Sequence, residues 1–201
     1  MKKKLKKKNL IIIMIVAVLL IGGITSAIFL TKSNSNNEPS KNKEKDKDPN
    51  IPQVEIVDLN STTRPYAVMI NNIGAARPYH TGLQDAYLVY EMVVEGGITR
   101  YLALFKDKQN ETVGNVRSAR HYYLDYVLEN DAYYVHWGWS PQAQSDISSL
   151  EIDNLNGLTY SSPYFFRKNI SGVSTEHKAF TNLKELANLV DKLGYRKETN
   201  K

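Results

Sequence analysis

The chain has 201 residues, no cysteine and a formal net charge of +5. The absence of cysteine excludes disulfide frameworks, thiolate metal sites, a cysteine nucleophile and an acylated lipoprotein cysteine. Six lysines in residues 1–9 and an excess of one positive charge in residues 31–52 leave the remainder with a net charge of −2. A mildly acidic domain lacks the basic surface that binding to a nucleic-acid backbone requires, so we expect no nucleic-acid partner.

Residues 10–30 are apolar except for two glycines, one threonine and one serine. In a helix that rises about 1.5 Å per residue, this segment spans roughly 30 Å, the thickness of a bilayer core. The lysines of residues 1–9 predict a cytoplasmic N-terminus, so we expect a single-pass anchor with its domain outside the cell. A cleaved signal peptide is the alternative, although its apolar region is usually only about 7–15 residues long.

The remainder of the chain divides into a linker and one domain. Residues 31–52 are rich in lysine, asparagine, serine and acidic residues. Such a composition cannot bury enough apolar surface to order itself, which predicts a flexible charged linker. Residues 53–201 are long enough for a single small α/β domain.

Two β-rich runs within residues 87–105 flank Gly96 and Gly97. This pattern predicts a β-hairpin with a two-residue turn. Both predicted faces are largely apolar, and a short apolar run at residues 66–70 predicts another buried strand. We therefore expect a mixed sheet that is covered by helices on both sides.

The predicted hairpin register places three charged side chains on one face. If Glu95 pairs with Ile98, then Arg100 lies between Glu91 and Glu95, within diagonal reach of each carboxylate. The three groups form either a supporting ion cluster at the rim or part of a binding site.

A helix is expected from Ser118, as its N-cap, to about Glu129. Arg117 would precede the cap and Arg120 would lie in the first turn. Because a helix N-terminus already carries partial positive charge, the added arginines suggest an anion site for a carboxylate or a phosphate group. The alternative is that they pair with carboxylates of the hairpin.

A strand is expected over residues 131–137, followed by a helix that Ser140 caps. His136, Trp137 and Trp139 then lie at a strand-to-helix junction, where open α/β sheets often bind ligands. The two indole rings could stack on sugars or could pack in the core, and the histidine could equally be structural.

The last part of the chain combines a loop with a helix. Residues 158–181 read as a loop, and a final helix is expected from residue 181 or 182 to about Leu193, ending at Gly194. The histidines show no spacing typical of metal ligands, so we predict no metal site; they are His80, His121, His136 and His177.

Five segments together resemble the YerB-like lipoproteins, a bacterial family of unknown function. They are RPYAVMINN (64–72), ARPYHTGLQDAYLVYEMVVEGGITRYLALF (76–105), VGNVRSARHYYLDYV (113–127), DAYYVHWGWSPQA (131–143) and the region from Phe166 to Asn182. The resemblance implies a surface protein with an α/β N-terminal domain and a second, smaller C-terminal domain. This chain departs from the pattern because it has no cysteine for lipid attachment and because its sequence stops after the last predicted helix.

We therefore predict a membrane-anchored extracytoplasmic protein that binds an anionic or carbohydrate-like cell-envelope ligand. The alternative is a structural or partner-interaction protein of the envelope; an envelope hydrolase or transferase with Glu91 or His136 as general base is favoured least. No nucleophile–base pair or cofactor motif is present, so we predict no cofactor and do not favour an enzyme. The predicted ligand-binding residues are Arg100, Arg117, Ser118, Arg120, His136, Trp137 and Trp139, with Glu91 and Glu95 in support.

Overall fold

The structure, a computed structural model, describes residues 57–58, 60–108 and 112–200. The chain divides into two units, Met1–Gln53 and Val54–Lys201. The predicted cytoplasmic tail, membrane helix and linker all lie outside the described residues. Within the described part, no helix is long and apolar enough to span a bilayer.

The described part of the chain contains eight strands and three α-helices that form a mixed α/β fold, as predicted. The strands are β1 (Tyr66–Asn71), β2 (Leu88–Val93), β3 (Thr99–Phe105), β4 (Thr112–Gly114), β5 (Tyr133–His136), β6 (Asn154–Asn156), β7 (Phe165–Arg167) and β8 (Ala179–Asn182). The helices are α1 (Leu124–Glu129), α2 (Pro141–Ser149) and α3 (Leu183–Leu193).

Five strands form the main sheet in the order β2-β3-β1-β5-β6, and three form a small sheet in the order β4-β8-β7. In the main sheet, β1 and β5 are parallel, as are β5 and β6, whereas β3 is antiparallel to both β1 and β2. The carboxyl ends of β1, β5 and β6 therefore lie at one edge together with the first residues of β3.

The central strand β1 is buried on both faces because apolar layers cover each side of the main sheet. Val68 and Ile70 belong to a core that includes residues of α3 and of the small sheet. Ala67 and Met69 belong to a second core, built with residues of α1 and α2. The residues of this strand form a continuous apolar run because both faces of the strand are buried.

The hairpin between β2 and β3 differs from the predicted one by one residue of register. The backbone N–H of Val94 donates to the carbonyl of Ile98 at 2.8 Å, so the turn contains three residues rather than two. Gly96 and Gly97 both adopt left-handed conformations, with φ of 71° and 69°, which only glycine does at little cost. As a result Met92, not Val93, lies opposite Arg100.

This shift corrects the predicted ion cluster. Glu91 lies opposite Tyr101, and alternate residues of a strand point to opposite faces. Glu91 and Arg100 are therefore on opposite faces of the sheet. The expectation of cover on both sides was also wrong for β2, an edge strand whose Val89 and Val93 are 40% and 66% exposed.

The predicted helix, with Ser118 as its N-cap, begins five residues later, with Tyr123 as the N-cap of α1. A 3-10 turn covers His121–Tyr123, and α1 starts at Leu124. The main chain before it is extended, because the N–H of Arg117 donates to Met69 and its carbonyl accepts from Trp137, both at 2.9 Å. Hydrogen bonding to two neighbouring strands thus overrides the local capping signal. Arg117 lies in the extended segment, and Arg120 is the N-cap of the 3-10 turn, so neither arginine lies at the N-terminus of α1.

Residues 158–181, predicted as a loop, contain β7 and most of β8. These strands have only three and four residues, too few for an alternating pattern to stand out in the sequence. Phe165 packs in the core between the main sheet and α3, and Phe180 is fully buried with its ring stacked on Phe166; this burial holds the two strands in place.

The two remaining helix starts were predicted correctly. The Ser140 hydroxyl accepts a hydrogen bond from the N–H of Ala143 at 3.2 Å, and Pro141 occupies the first position of α2. Asn182 caps α3, which ends at Gly194 in a left-handed conformation with φ of 69°. Local capping chemistry decided both starts.

A network of ion pairs lies at the edge of the sheet opposite the carboxyl ends of β1 and β5. Arg64 Nε lies 3.3 Å from Asp131 Oδ1, and Arg64 also pairs with Asp153. Burial by itself would raise the pKa of Asp131, but hydrogen bonds from Arg196 and the Asn200 N–H, with the charge of Arg64, lower that pKa to about 2.

Because its pKa is lowered in the folded state, Asp131 stabilises the protein above the unfolded pKa of about 4. We expect this contribution to be lost as the pH falls through about 2. At pH 7, Asp131→Asn should lower the free energy of unfolding by about 1–2 kcal/mol, allowing for solvent screening at Arg196. Denaturant unfolding at pH 7 and pH 2 measures this, and a difference from wild type that persists unchanged at pH 2 would contradict it.

Candidate functional site

The candidate site lies where the parallel strands of the main sheet end. In open α/β sheets, ligands bind at this edge, in the crevice between two strands whose connections run in opposite directions along the sheet. Here those strands are β1 and β5. The crevice is filled by the chain itself, since the extended segment 116–119 hydrogen-bonds to Met69 on one side and to Trp137 and Gly138 on the other.

Three arginines converge around this segment, and we refer to Arg100, Arg117 and Arg120 as the arginine cluster. Arg100 is the second residue of β3. Arg117 belongs to the inserted segment 116–119, and Arg120 directly follows it. Burial, followed by the charges of Arg120 and Arg117, lowers the pKa of Arg100 to about 10. The charges of the three arginines therefore act on one another, and a strand end and an extended segment bring them together, not the helix N-terminus that the sequence predicted.

Arg100 is the buried member of the cluster. The residue is 4% exposed, and its Nη1 donates to the carbonyl of Ser118 at 2.5 Å. Among the described residues, no carboxylate lies within ion-pair distance of it, and its buried Nε has no hydrogen-bond partner. A buried charge without a counterion is costly, which makes Arg100 the most unusual group at this edge.

The other two arginines each hold one carboxylate of the protein. Arg117 Nη1 lies 3.0 Å from Glu176 Oε2, and Arg120 Nε lies 2.5 Å from Glu95 Oε1. The hydrogen bond from Arg120 lowers the pKa of Glu95. Both glutamate side chains are more than half exposed, at 53% and 62%, so these pairs lie at the surface.

The contacts of all three arginines leave one amino group of each guanidinium uncommitted. Arg100 and Arg117 use Nη1, and Arg120 uses Nε and Nη1, with Ala119 as its carbonyl acceptor. No Nη2 atom of the cluster has a hydrogen-bond partner in the described ranges, and none is among the buried unpartnered atoms. The cluster thus retains donors that an oxyanion could use.

A histidine network borders the cluster on the side of Arg117. Asn71 Oδ1 accepts from the Ile73 N–H at 3.2 Å, so its Nδ2 is the donor to His177 Nδ1 at 2.8 Å. The proton of His177 therefore lies on Nε2, which faces Glu176 Oε1 at 3.6 Å. Glu176 thereby links Arg117 to a buried histidine of fixed tautomer.

Glu91 belongs to a separate polar group on the other face of the sheet. Its Oε1 accepts hydrogen bonds from Asn72 Nδ2 at 2.8 Å and from Thr99 Oγ1 at 2.6 Å. Arg77 Nε in turn donates to Asn72 Oδ1 at 2.9 Å. Glu91 is thus a hydrogen-bonded acceptor that orients neighbours, and it is not part of the arginine cluster.

Sequence reasoning did not select Asn71, Asn72, Glu176 or His177. For the two asparagines a usable signal exists, because consecutive polar residues directly after a buried strand fall at the carboxyl edge of the sheet. For Glu176 and His177 no local signal exists, since they follow β7 in a turn of the small sheet. Only the packing of that sheet against β1 brings them to the site.

The aromatic residues predicted at the junction are engaged in packing. His136 is fully buried; burial lowers its pKa to about 4, and its Nδ1 lies 2.8 Å from the Gly138 carbonyl oxygen. The Arg167 guanidinium carbon lies over the Trp137 ring, 4.5 Å from the ring centroid. The ring centroids of Trp139 and His136 are 5.6 Å apart. These contacts give no support to the predicted stacking on carbohydrate.

Ser118 also supports the site through its backbone rather than its hydroxyl. Its Oγ donates to the Trp137 carbonyl at 3.1 Å, while its own carbonyl receives Arg100. No group of three His, Asp or Glu residues within the described ranges could hold a metal ion. A cavity of about 160 Å³ lies at the opposite edge, lined by Tyr66 and Tyr133 among others, and no predicted site residue borders it.

Comparisons with known proteins agree with the fold. The family described as "Protein of unknown function (DUF3048) N-terminal domain" matches residues 54–196. YerB of Bacillus subtilis (strain 168), which is named as a lipoprotein, is 40% identical over 139 residues, covering 68% of this chain and 41% of that protein. A crystal structure of YerB from Bacillus subtilis is 37% identical, with a TM-score of 0.65 over 71% of this chain and 49% of the other. The chain therefore spans less than half the length of these relatives, and the predicted resemblance is confirmed.

Proposed function

The chain belongs to the DUF3048 family of proteins of unknown function, and from that premise we propose that it is a membrane-anchored extracytoplasmic protein that binds an anionic group of a cell-envelope ligand. The anchor is supported by the apolar residues 10–30 with six lysines before them, which fits a protein with its domain outside the membrane. The lipoprotein name of the relative YerB supports the same location by a different anchor.

The observation that carries the binding proposal is the buried guanidinium of Arg100, which has no carboxylate partner in the described part of the chain. Arginine is suited to oxyanions because its planar donors match phosphate and carboxylate oxygens. Arg117 and Arg120 add donors beside it. The domain as a whole is slightly acidic, so recognition would depend on these placed side chains and not on bulk charge.

A second candidate function, interaction with a protein partner of the envelope, is favoured by the outer strand β2. Its Leu88, Val89 and Val93 are 37%, 40% and 66% exposed, although edge strands usually avoid exposed apolar side chains. This function would use the edge of the sheet and leave the arginine cluster uninvolved.

Binding of poly(glycerol phosphate), an anionic phosphodiester polymer, tests the proposal with the full chain in detergent micelles. We expect Arg117→Ala to weaken binding by about tenfold, because one charge-assisted donor is lost and Glu176 is left unpaired beside the ligand. Isothermal titration calorimetry at fixed ionic strength measures the dissociation constants.

The matched control is Lys184→Ala, which removes one positive charge from the exposed side of α3. Its affinity should equal that of wild type. If Arg117→Ala binds the polymer as tightly as wild type, or if both variants weaken binding equally, the arginine cluster is not the binding site.

A further inference from the structure

The two glutamates beside the arginine cluster project from turns that flank the site. Glu95 opens the turn between β2 and β3, and Glu176 lies in the 3-10 turn before β8. Each reaches its arginine from a largely solvated position, with side chains 62% and 53% exposed. Neither glutamate side chain packs in the core. We therefore look for a role of the two carboxylates at the arginine cluster.

Counting charges at the site separates the three arginines. Glu95 neutralises Arg120 and Glu176 neutralises Arg117, whereas Arg100 has no carboxylate at ion-pair distance in the described ranges. The cluster with its two glutamates therefore carries one uncompensated positive charge, and that charge is the buried one. An anion with one negative charge balances it, whereas an anion with two leaves an excess that the nearby glutamates repel.

We infer that Glu95 and Glu176 are specificity-determining residues that restrict the arginine cluster to singly charged oxyanions, of the kind that a phosphodiester or a carboxylate carries. This inference rests on the proposed anion-binding function and adds the charge of the ligand group. The glutamates act by repulsion, which is an effective way to reject a competing ligand that makes the same attractive contacts.

Dimethyl phosphate and methyl phosphate provide a matched pair of probes, because at pH 8 the first carries one negative charge and the second mostly two. The full chain in detergent micelles is titrated with each at constant ionic strength, and arginine side-chain resonances are followed by NMR. We expect wild type to bind dimethyl phosphate more tightly than methyl phosphate. Acetate is titrated as a third probe, and tighter binding of acetate than of dimethyl phosphate would assign the site to carboxylate ligands under the same charge rule.

The double variant Glu95→Gln, Glu176→Gln should shift the preference toward methyl phosphate by about tenfold, roughly threefold for each exposed charge removed. Glu129→Gln, which removes an exposed charge from the end of α1, should leave the preference unchanged. An unaltered preference in the double variant would overturn the inference while leaving anion binding intact. If Arg100→Met binds both phosphates like wild type, or if wild type binds neither, the proposed function itself fails.

Discussion

Arg100→Met is expected to abolish binding of dimethyl phosphate while leaving the protein as stable as wild type, or more stable by about 1–2 kcal/mol. In the folded state, burial and two neighbouring arginines lower the pKa of Arg100 to about 10. A base that holds its proton less tightly when folded disfavours folding at neutral pH. Methionine fills a similar volume without a charge, and the lost hydrogen bond to Ser118 limits the gain.

Guanidinium chloride unfolding, followed by the fluorescence of the two tryptophans, measures the stability of this variant. Arg100→Lys serves as the matched comparison, since it keeps the buried charge but loses the planar donors; it should be less stable than the methionine variant. If Arg100→Met instead loses several kcal/mol, Arg100 has a structural role and the case for an anion site is lost.

Phe105→Ala is expected to lower the free energy of unfolding by about 3–5 kcal/mol. Phe105 is completely buried at the end of β3 and belongs to the core between the main sheet and α3. That loss is a large part of the roughly 5–15 kcal/mol that stabilises most domains. Leu158→Ala, at a residue that is 67% exposed, should change the stability by about 0.5 kcal/mol or less.

Phe105→Ala also tests whether a loss of stability affects ligand binding. Phe105 lies five residues along β3 from Arg100, roughly 17 Å at the rise of a strand. Dimethyl phosphate should therefore bind the folded fraction of Phe105→Ala as it binds wild type. Equal stability losses in Phe105→Ala and Leu158→Ala would show that the core assigned to this face of the sheet is wrong.

Features that depend on a few neighbouring residues were predictable. The run Tyr66–Ile70 gave a buried strand, Ser140 gave a helix start, and Asn182 with Gly194 gave the limits of α3. In each case the cause is local: apolar continuity, a side chain that caps free N–H groups, or a residue that tolerates positive φ. The family resemblance then identified the fold as a whole.

The hairpin shows where local reasoning stops. Gly96 and Gly97 predicted its position correctly, but the turn includes Glu95, and one residue of register moved Glu91 to the other face. Because side chains alternate along a strand, such a shift exchanges every neighbour. Glu95 was placed correctly near an arginine, yet its partner is Arg120 and not Arg100.

The sequence alone therefore determined which residues are apolar strands and capped helices, and it singled out Arg100, Arg117 and Arg120 as unusual. The tertiary structure decided how these side chains are placed. Insertion of the segment 116–119 between β1 and β5 replaces the expected helix start, because its backbone groups find partners on both strands. The small sheet brings Glu176 to Arg117, and Arg100 is buried with no carboxylate at ion-pair distance in the part of the chain that the structure describes. The sequence could not show either result, because both depend on residues far apart in the chain.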